Sequence, residues 1–317
     1  MHDYKEYPPI DLVYLWVDGN DPEFRARRNA ALGRTEEVAE VNCEGRISNN
    51  EELKFSLRSV EKYAPWIRHI FIITDNQRPD WLDETKSRVT IVNQNDLLPP
   101  ESVPTFNSVV IEHRLHKIPG LAEHFLYSND DMFFNRAVTP ADFFTPDGLP
   151  VMRLNRRPLR KLTLWLEKHI QKKELSTYNR TILRAGNMVK EKTGKFLPHK
   201  PHHNIDAFCK SQYEETYEAF RDEIKHTLSN KLRSDSDIQR VIYSYYPIAL
   251  KKATLTFVSQ RTSFRLHIER HRNYDKLKRY NPMLFCLNDS QYANDDDRRL
   301  MREFLENRFP EKSQFER

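Results

Sequence analysis

Two adjacent aspartates, Asp130 and Asp131, interrupt an apolar stretch: Phe125-Leu126-Tyr127 lies before them and Met132-Phe133-Phe134 after. Neighbouring carboxylates repel each other and resist burial, so a metal ion or a basic ligand-binding pocket would compensate them. Hard divalent cations take carboxylate oxygens and share them with substrate phosphates. A carboxylate can also accept a proton from an attacking hydroxyl. A plain polar turn is the competing reading, and the residues alone leave both open. Asp289, in "FCLND" (285–289), repeats the theme of a strand ending in a carboxylate.

Two further stretches carry groups capable of chemistry. "FLPHKPHHNID" (196–206) sets His199, His202 and His203 between prolines. Histidine titrates near neutrality and suits acid–base work, and proline stiffens the segment that presents the ring. The spacing matches no structural zinc pattern, and a surface loop is the simplest reading. In "NKLRSDSDIQ" (230–239), Arg233 precedes a helix capped by Ser234 or Asp235. A phosphate there could meet both the guanidinium and backbone N–H groups; an ordinary capped helix with a surface arginine reads equally well.

The elements that must position these groups alternate in the first half of the chain. Buried-strand runs are read at 10–17 ("IDLVYLWV"), 67–74 ("IRHIFIIT"), 88–92 ("RVTIV") and 124–128 ("HFLYS"). Between them, Leu53, Leu57 and Val60 share one face of a helix that Ser48 and Glu51 would open with a capping box and Pro65 would end. A second helix is read over 106–118. Strands alternating with helices predict an α/β fold, a mostly parallel sheet with flanking helices. Three strands end in polar clusters, at Asp18/Asn20/Asp21, Asp75/Asn76 and Asn129/Asp130/Asp131. Ligands of such sheets bind beyond the carboxyl ends of the strands, so the three clusters point to one crevice. From 155 to 250 the pattern is helical, which predicts a helical insertion, a subdomain contributing the histidine and arginine to a core made of 1–154 and 251–317. Strands return at 253–259 and 283–289, and a last helix starts at Asp295 and ends near Phe309-Pro310.

Composition narrows the classes. At 317 residues, with 31% charged and 11% aromatic, the chain suits a soluble globular protein. No apolar run approaches the roughly 20 residues of a membrane span, and the first residues carry no signal-peptide pattern, so a cytoplasmic location is expected. Three scattered cysteines, Cys43, Cys209 and Cys286, fit a reducing compartment. Seven glycines form no phosphate-binding glycine loop, so any phosphate must be held by side chains, helix N-termini or a metal. The net charge of +5 is concentrated at 153–173 and 251–279, and neither basic stretch contains a nucleic-acid recognition module. Leu159, Leu162, Leu166 and Ile170 could form an apolar face beside lysines and arginines, as in a helix lying on the inner leaflet of a membrane; a buried helix over the cleft is the alternative.

Several long stretches, taken in order, resemble a known family. "IDLVYLWVDGNDPEF", "NNEELKFSLRSVEKYAPWIRHIFIITDNQRPDWL", "PTFNSVVIEHRLHKIPGLAEHFLYSNDDMFF", "FCLNDS" and the terminal "FPEKSQFE" are similar to the conserved regions of the Stealth family. That family comprises bacterial capsular polysaccharide phosphotransferases and the animal enzyme that tags lysosomal hydrolases with GlcNAc-1-phosphate. The resemblance implies a glycosyltransferase-A-like nucleotide-sugar core. It implies transfer of a hexose-1-phosphate, a HexNAc-1-phosphate in the first instance, from a UDP-sugar to a hydroxyl of a polysaccharide or oligosaccharide, lipid-linked or free, with release of UMP. It places the catalytic aspartate on Asp131, the histidine on His199 and the arginine on Arg233, and the nucleotide-sugar motifs on Trp16, Asp18, Asn50, Glu52 and Arg58. Two departures from the family pattern stand at Arg46-Ile47-Ser48-Asn49-Asn50 and at Asn230 and Leu232.

On this reading magnesium (or manganese), held at least partly by Asp130 or Asp289, bridges diphosphate oxygens. Arg233 stabilises charge on the transferring phosphate, and Asp131 and His199 share the proton. The alternatives are a retaining glycosyltransferase on a related fold and a catalytically silent polysaccharide-assembly protein.

Overall fold

The computed structural model describes residues 7–33, 49–86, 88–160, 163, 166 and 175–317. Its largest sheet grows from the apolar runs, where β-branched and aromatic side chains favour extended backbone. β1 (Ile10–Leu15), β2 (Ile70–Thr74), β3 (Val89–Asn93) and β4 (His124–Asn129) are parallel. The chain then passes through Asp130 and Asp131 into β5 (Met132–Phe134) and on to β6 (Val151–Asn155), β7 (Lys200–Pro201) and β8 (Asp206–Cys209). β8 adds to β4 antiparallel, giving the order β3-β2-β1-β4-β8. With β9 (Thr254–Phe257), β10 (Ser263–His267) and β11 (Leu284–Asn288), two three-stranded sheets are completed, β10-β11-β5 and β7-β6-β9. The strand order reverses between β1 and β4, and the carboxyl ends of these two neighbours carry Asp18 and the Asp130–Asp131 pair.

Nine α-helices lie among the described residues: α1 (Pro22–Leu32), α2 (Glu52–Tyr63), α3 (Ser108–Glu112), α4 (Thr177–Thr193), α5 (Lys210–Ala219), α6 (Arg221–Leu228), α7 (Ile242–Ala249), α8 (Arg272–Tyr280) and α9 (Asp295–Arg308). Alternate residues of the parallel strands face opposite layers, as the two-residue strand period requires. Val13, Leu15, Phe125 and Tyr127 pack with Ile182, Tyr213 and Tyr243 of the later helices. Leu12, Tyr14, Ile70, Ile72 and Leu126 pack on Leu53, Leu57 and Val60 of α2. Leu57 and Val60 are fully buried, each contributing on the order of 2 kcal/mol. The opposite side of α2 sends Phe55 into a third cluster with Phe133 and Phe285 of the small sheet and Met301 and Leu305 of α9. Two serines fasten α2 at the same place: Ser56 Oγ donates to Met132 O (2.5 Å), and Ser59 Oγ accepts from Phe134 N (3.1 Å).

Three readings change in detail. The helix expected over 106–118 is cut to α3 because His113 turns inward, its ring bonded to the Tyr243 hydroxyl (2.8 Å) and Ile238 O (2.9 Å). Segment 155–250 is not wholly helical. Residues 206–209, within the stretch read as helical, form the edge strand of the largest sheet, where β4 offers backbone partners that a helix could not use. Glu51 does not follow a serine cap: it is itself the residue preceding α2, with a φ of 65°, while Ser48 lies outside the described residues, as do Arg46 and Ile47. Of the expected membrane-facing leucines, Leu159 is exposed and Leu166 half-buried; Leu162 and Ile170 lie outside the described residues. No helix among the described residues is long and apolar enough to cross a membrane.

Candidate active site

The chain leaves the largest sheet at Asn129 and enters the small one at Met132, so Asp130 and Asp131 occupy the link between two sheets. Leu287 N donates to Asp131 O (2.9 Å), which ties the link to β11. Glu52, the first residue of α2, is buried beside it. Asn50 grips that carboxylate, its N–H donating to Oε2 (2.6 Å) and its amide to Oε1 (2.9 Å). Even so, burial, with the charge of Asp131 adding to it, pushes Glu52 up to about 7. Burial, then the charges of Glu52 and Asp131, push Asp130 well above the usual carboxylate range. Three carboxyl groups thus share one partly dry site, and like charges this close cannot all ionise without a compensating cation.

Asp131 Oδ1 is buried with no hydrogen-bond partner, while Oδ2 accepts from the Cys286 thiol (3.2 Å) and lies 3.4 Å from His203 Nε2. An unpartnered carboxylate oxygen beside a repelling carboxylate suits a positively charged ligand. The oxygen-rich set formed by Glu52, Asp130 and Asp131 fits a hard divalent cation. Asp289 is placed differently. Arg298 Nε and Nη2 approach its two oxygens at 2.9 and 3.3 Å, so its charge is already answered by a guanidinium.

The five residues expected to hold a nucleotide-sugar divide into two groups. Trp16 is buried, its backbone N–H donating to Ile73 O (3.0 Å). Asp18 N donates to Gln77 Oε1 (2.8 Å), and Gln77 Nε2 returns a bond to Asp18 O (2.9 Å), so one glutamine side chain stitches the ends of β1 and β2 together. Asn20 Nδ2 donates to Asn49 O (3.0 Å), which brings this loop against the Asn50–Glu52 segment. Asp18, Asn50 and Glu52 therefore lie on joined segments at the strand ends, while the Trp16 ring packs in the core beside α2. Arg58, too, lies elsewhere. It makes a two-pronged ion pair with Glu316 (2.7 and 2.6 Å) and donates to Phe309 O (2.8 Å), clamping the C-terminal segment to α2.

The histidine run resolves into three environments. His199 accepts from Arg157 N (3.1 Å) and stacks edge-on against Phe257; burial and the Arg156 charge hold its pKa below the ordinary value. His202 is buried, held by Asp206 (3.0 Å) and by Ser263 (3.3 Å). His203 is the one placed against Asp131. Proline spacing could not rank the three, because what separates them is which strand each faces. Arg233 Nη2 donates to Ser108 Oγ (2.7 Å) at the start of α3, away from a helix start of its own, and makes no ion pair with the Asp131 cluster among the described residues. A second arginine was missed. Arg240 pairs with Asp206 (2.9 Å) and Glu112 (3.7 Å) and lies 4.3 Å from the centre of the Tyr127 ring. The Tyr127 hydroxyl donates to Glu112 (2.8 Å) and lies 2.9 Å from Asn129 Oδ1, so this buried network holds the end of β4 just before the aspartate pair. Nothing in the sequence around Arg240 or Cys286 marks them, since one reads as a helix arginine and the other as a core thiol.

Three family models match: Stealth protein conserved region 1 over residues 8–36, conserved region 2 over 46–152 and conserved region 4 over 275–317. The aspartate pair, Glu52 and Cys286 fall inside these matches. An exopolysaccharide phosphotransferase of Streptomyces coelicolor is 36% identical over 98% of this chain and 52% of its own length. A capsular polysaccharide phosphotransferase of Haemophilus influenzae is 31% identical over 90% of this chain and 79% of its own length. The chain spans about half the length of the exopolysaccharide phosphotransferases it matches. Among solved structures, a galactosyltransferase in complex with donor and acceptor sugar analogues aligns over 96% of this chain and 98% of its own, at 11% identity and a TM-score of 0.45.

Proposed function

The chain belongs to the Stealth family, and from that premise we propose that it transfers a hexose-1-phosphate from a UDP-sugar to a hydroxyl of a polysaccharide or oligosaccharide, releasing UMP. The observation that carries this reading is the Glu52–Asp130–Asp131 cluster at the carboxyl ends of β1 and β4, with one Asp131 oxygen buried and unpartnered. The named phosphotransferase relatives support the reaction class.

Phosphoryl transfer depends chiefly on positioning and charge neutralisation, which is work that fixed side chains can do. The acceptor oxygen attacks the β-phosphorus, the bond from that phosphorus to the bridging oxygen breaks, and UMP leaves. Asp131 takes the hydroxyl proton, directly or by way of a neighbouring imidazole. His203, 3.4 Å from Asp131, is placed for that relay, whereas the family's assignment, His199, accepts from Arg157 N. Magnesium or manganese, held by Asp130 and Asp131 with Glu52 behind them, would supply neutralisation of the diphosphate charge. Asp18 and Asn50 line the donor side, and Arg233, anchored on Ser108, stabilises the transferring phosphate. Segment 155–250 contributes the histidines and arginines, and 1–154 with 251–317 the carboxylates and donor site. Work on a growing polysaccharide at the inner membrane leaflet gives the basic 153–173 stretch a purpose.

The test is to incubate the protein with a panel of UDP-sugars, magnesium and an oligosaccharide acceptor, and to assay UMP. UMP release with at least one donor, abolished by Asp131→Asn, is expected. Release of UDP in its place, or undiminished activity in Asp131→Asn, contradicts the proposal.

A further inference from the structure

Three ligating atoms of different chemistry meet at Asp131. Its Oδ2 lies 3.4 Å from His203 Nε2 and 3.2 Å from Cys286 Sγ, and all three atoms fall within 4.8 Å of one another. They come from distant parts of the chain: the link between β4 and β5, the loop before β8, and β11. No sequence motif could have announced them. Two ligands at about 2.1 Å from a tetrahedral ion stand roughly 3.4 Å apart, and a thiolate at about 2.3 Å stands roughly 3.6 Å from an oxygen ligand. The two separations from Asp131 therefore need adjustments of only a few tenths of an ångström, while His203 Nε2 and Cys286 Sγ, which lie within 4.8 Å of each other, close by up to about 1.2 Å.

The backbone around each ligand is already fixed. Cys286 is paired across the small sheet with Met132, next to Asp131, and Leu287 N bonds Asp131 O. His203 sits between His202, held by Asp206 and Ser263, and Asn204, whose amide donates to Ser263 Oγ (2.8 Å). Preorganised ligands lower the cost of closing a metal site. The cluster is open to solvent on one side, since the His203 and Asp131 side chains keep 34% and 22% of their surface exposed.

We propose that Asp131, His203 and Cys286 form a binding site for a borderline divalent transition metal, zinc in the first instance, and that filling it inhibits transfer by taking the Asp131 oxygen. The site discriminates against magnesium. Magnesium favours all-oxygen, near-octahedral surroundings, whereas imidazole and thiolate select zinc and cadmium. It is distinct from the carboxylate set, which shares Asp131 but offers only oxygen. Binding displaces the thiol proton of Cys286, so it is accompanied by proton release. The binding half stands on these three residues alone; the inhibitory half rests on the proposed role of Asp131.

Metal-free protein carrying Cys43→Ser is titrated with cadmium, and the ultraviolet thiolate-to-cadmium charge-transfer band is followed. Zinc is then added in competition. Cys209, the other buried thiol among the described residues, donates to Gly148 O and stands apart from this cluster. One cadmium per chain, displaced by zinc, is expected. Cys286→Ser, an isosteric change in a buried strand, should remove the band. His203→Gln, at a partly exposed position where folding is not at stake, should weaken binding by more than the roughly 10–100-fold cost of losing an outer-shell partner. In excess magnesium, zinc should suppress UMP release in the parent protein and lose that effect in parallel with binding. A missing band, or a band indifferent to both changes, overturns the site. Normal binding without inhibition overturns the inhibitory half and, with it, the role given to Asp131.

Discussion

Replacing Glu52 by glutamine should make the metal-free protein more stable at pH 8 and leave it little changed at pH 5. Glu52 is 5% exposed, and its carboxyl is pushed from 4.5 up to about 7. A carboxyl with a folded pKa above its unfolded one favours the protonated form, so the stability it permits is full below 4.5 and is lost as pH rises through 7. At 1.36 kcal/mol per pH unit the penalty above pH 7 is about 3 kcal/mol. Glutamine carries no charge but keeps only one carbonyl acceptor, so one of the two bonds from Asn50 is lost, at about 1 kcal/mol. The net gain is about 2 kcal/mol at pH 8. Urea unfolding with chelator present, at both pH values, measures it as a shift in midpoint at constant slope. Magnesium should then stabilise the wild type more than the variant, since a cation that binds only the folded state adds to its stability. A variant no more stable than wild type at pH 8, or one that gains equally at pH 5, refutes the idea of a charge-strained cluster.

Other outcomes follow from single contacts. Arg58→Ala should destabilise the fold by about 3–5 kcal/mol in urea, because it strands the Glu316 carboxylate, whose side chain is 2% exposed. Arg233→Ala should lower the rate of UMP release on the order of 10²-fold with an unchanged melting profile, and activity within about threefold of wild type would remove it from the mechanism. His113 is buried and held down to about 4, below its ordinary 6.5, so the stability it supports is full above pH 6.5 and is lost as pH falls through 4. His113→Gln should flatten that part of the stability profile by about 3 kcal/mol, measured by urea unfolding between pH 7 and 4.

Much of the parallel sheet was legible because each strand is a continuous apolar run ending in a turn cluster, and both signals are local. The aspartate pair was visible for the same reason: charge set between apolar flanks is conspicuous. What joined it was not visible. The family resemblance names Glu52 among the donor-binding residues, and only the packing of α2 on the link between sheets, through Ser56 and Ser59, turns it into a third member of the carboxylate cluster. β8 was hidden because Asp206–Cys209 is too short to show a period, and its strand form depends on the open edge of β4. His203 and Cys286 reach Asp131 only through pairings more than 70 residues apart in the chain. Arg58 shows the converse, a motif residue whose bonds in this structure all run to the C-terminal segment.

The central claim, that the phosphate travels with the sugar, is tested most directly by labelling the β-phosphorus of the UDP-sugar donor. After incubation with magnesium and an oligosaccharide acceptor, the label should be found in the oligosaccharide as a phosphodiester, with unlabelled UMP released. Label retained in UDP, beside an acceptor that has gained sugar without phosphorus, would contradict it.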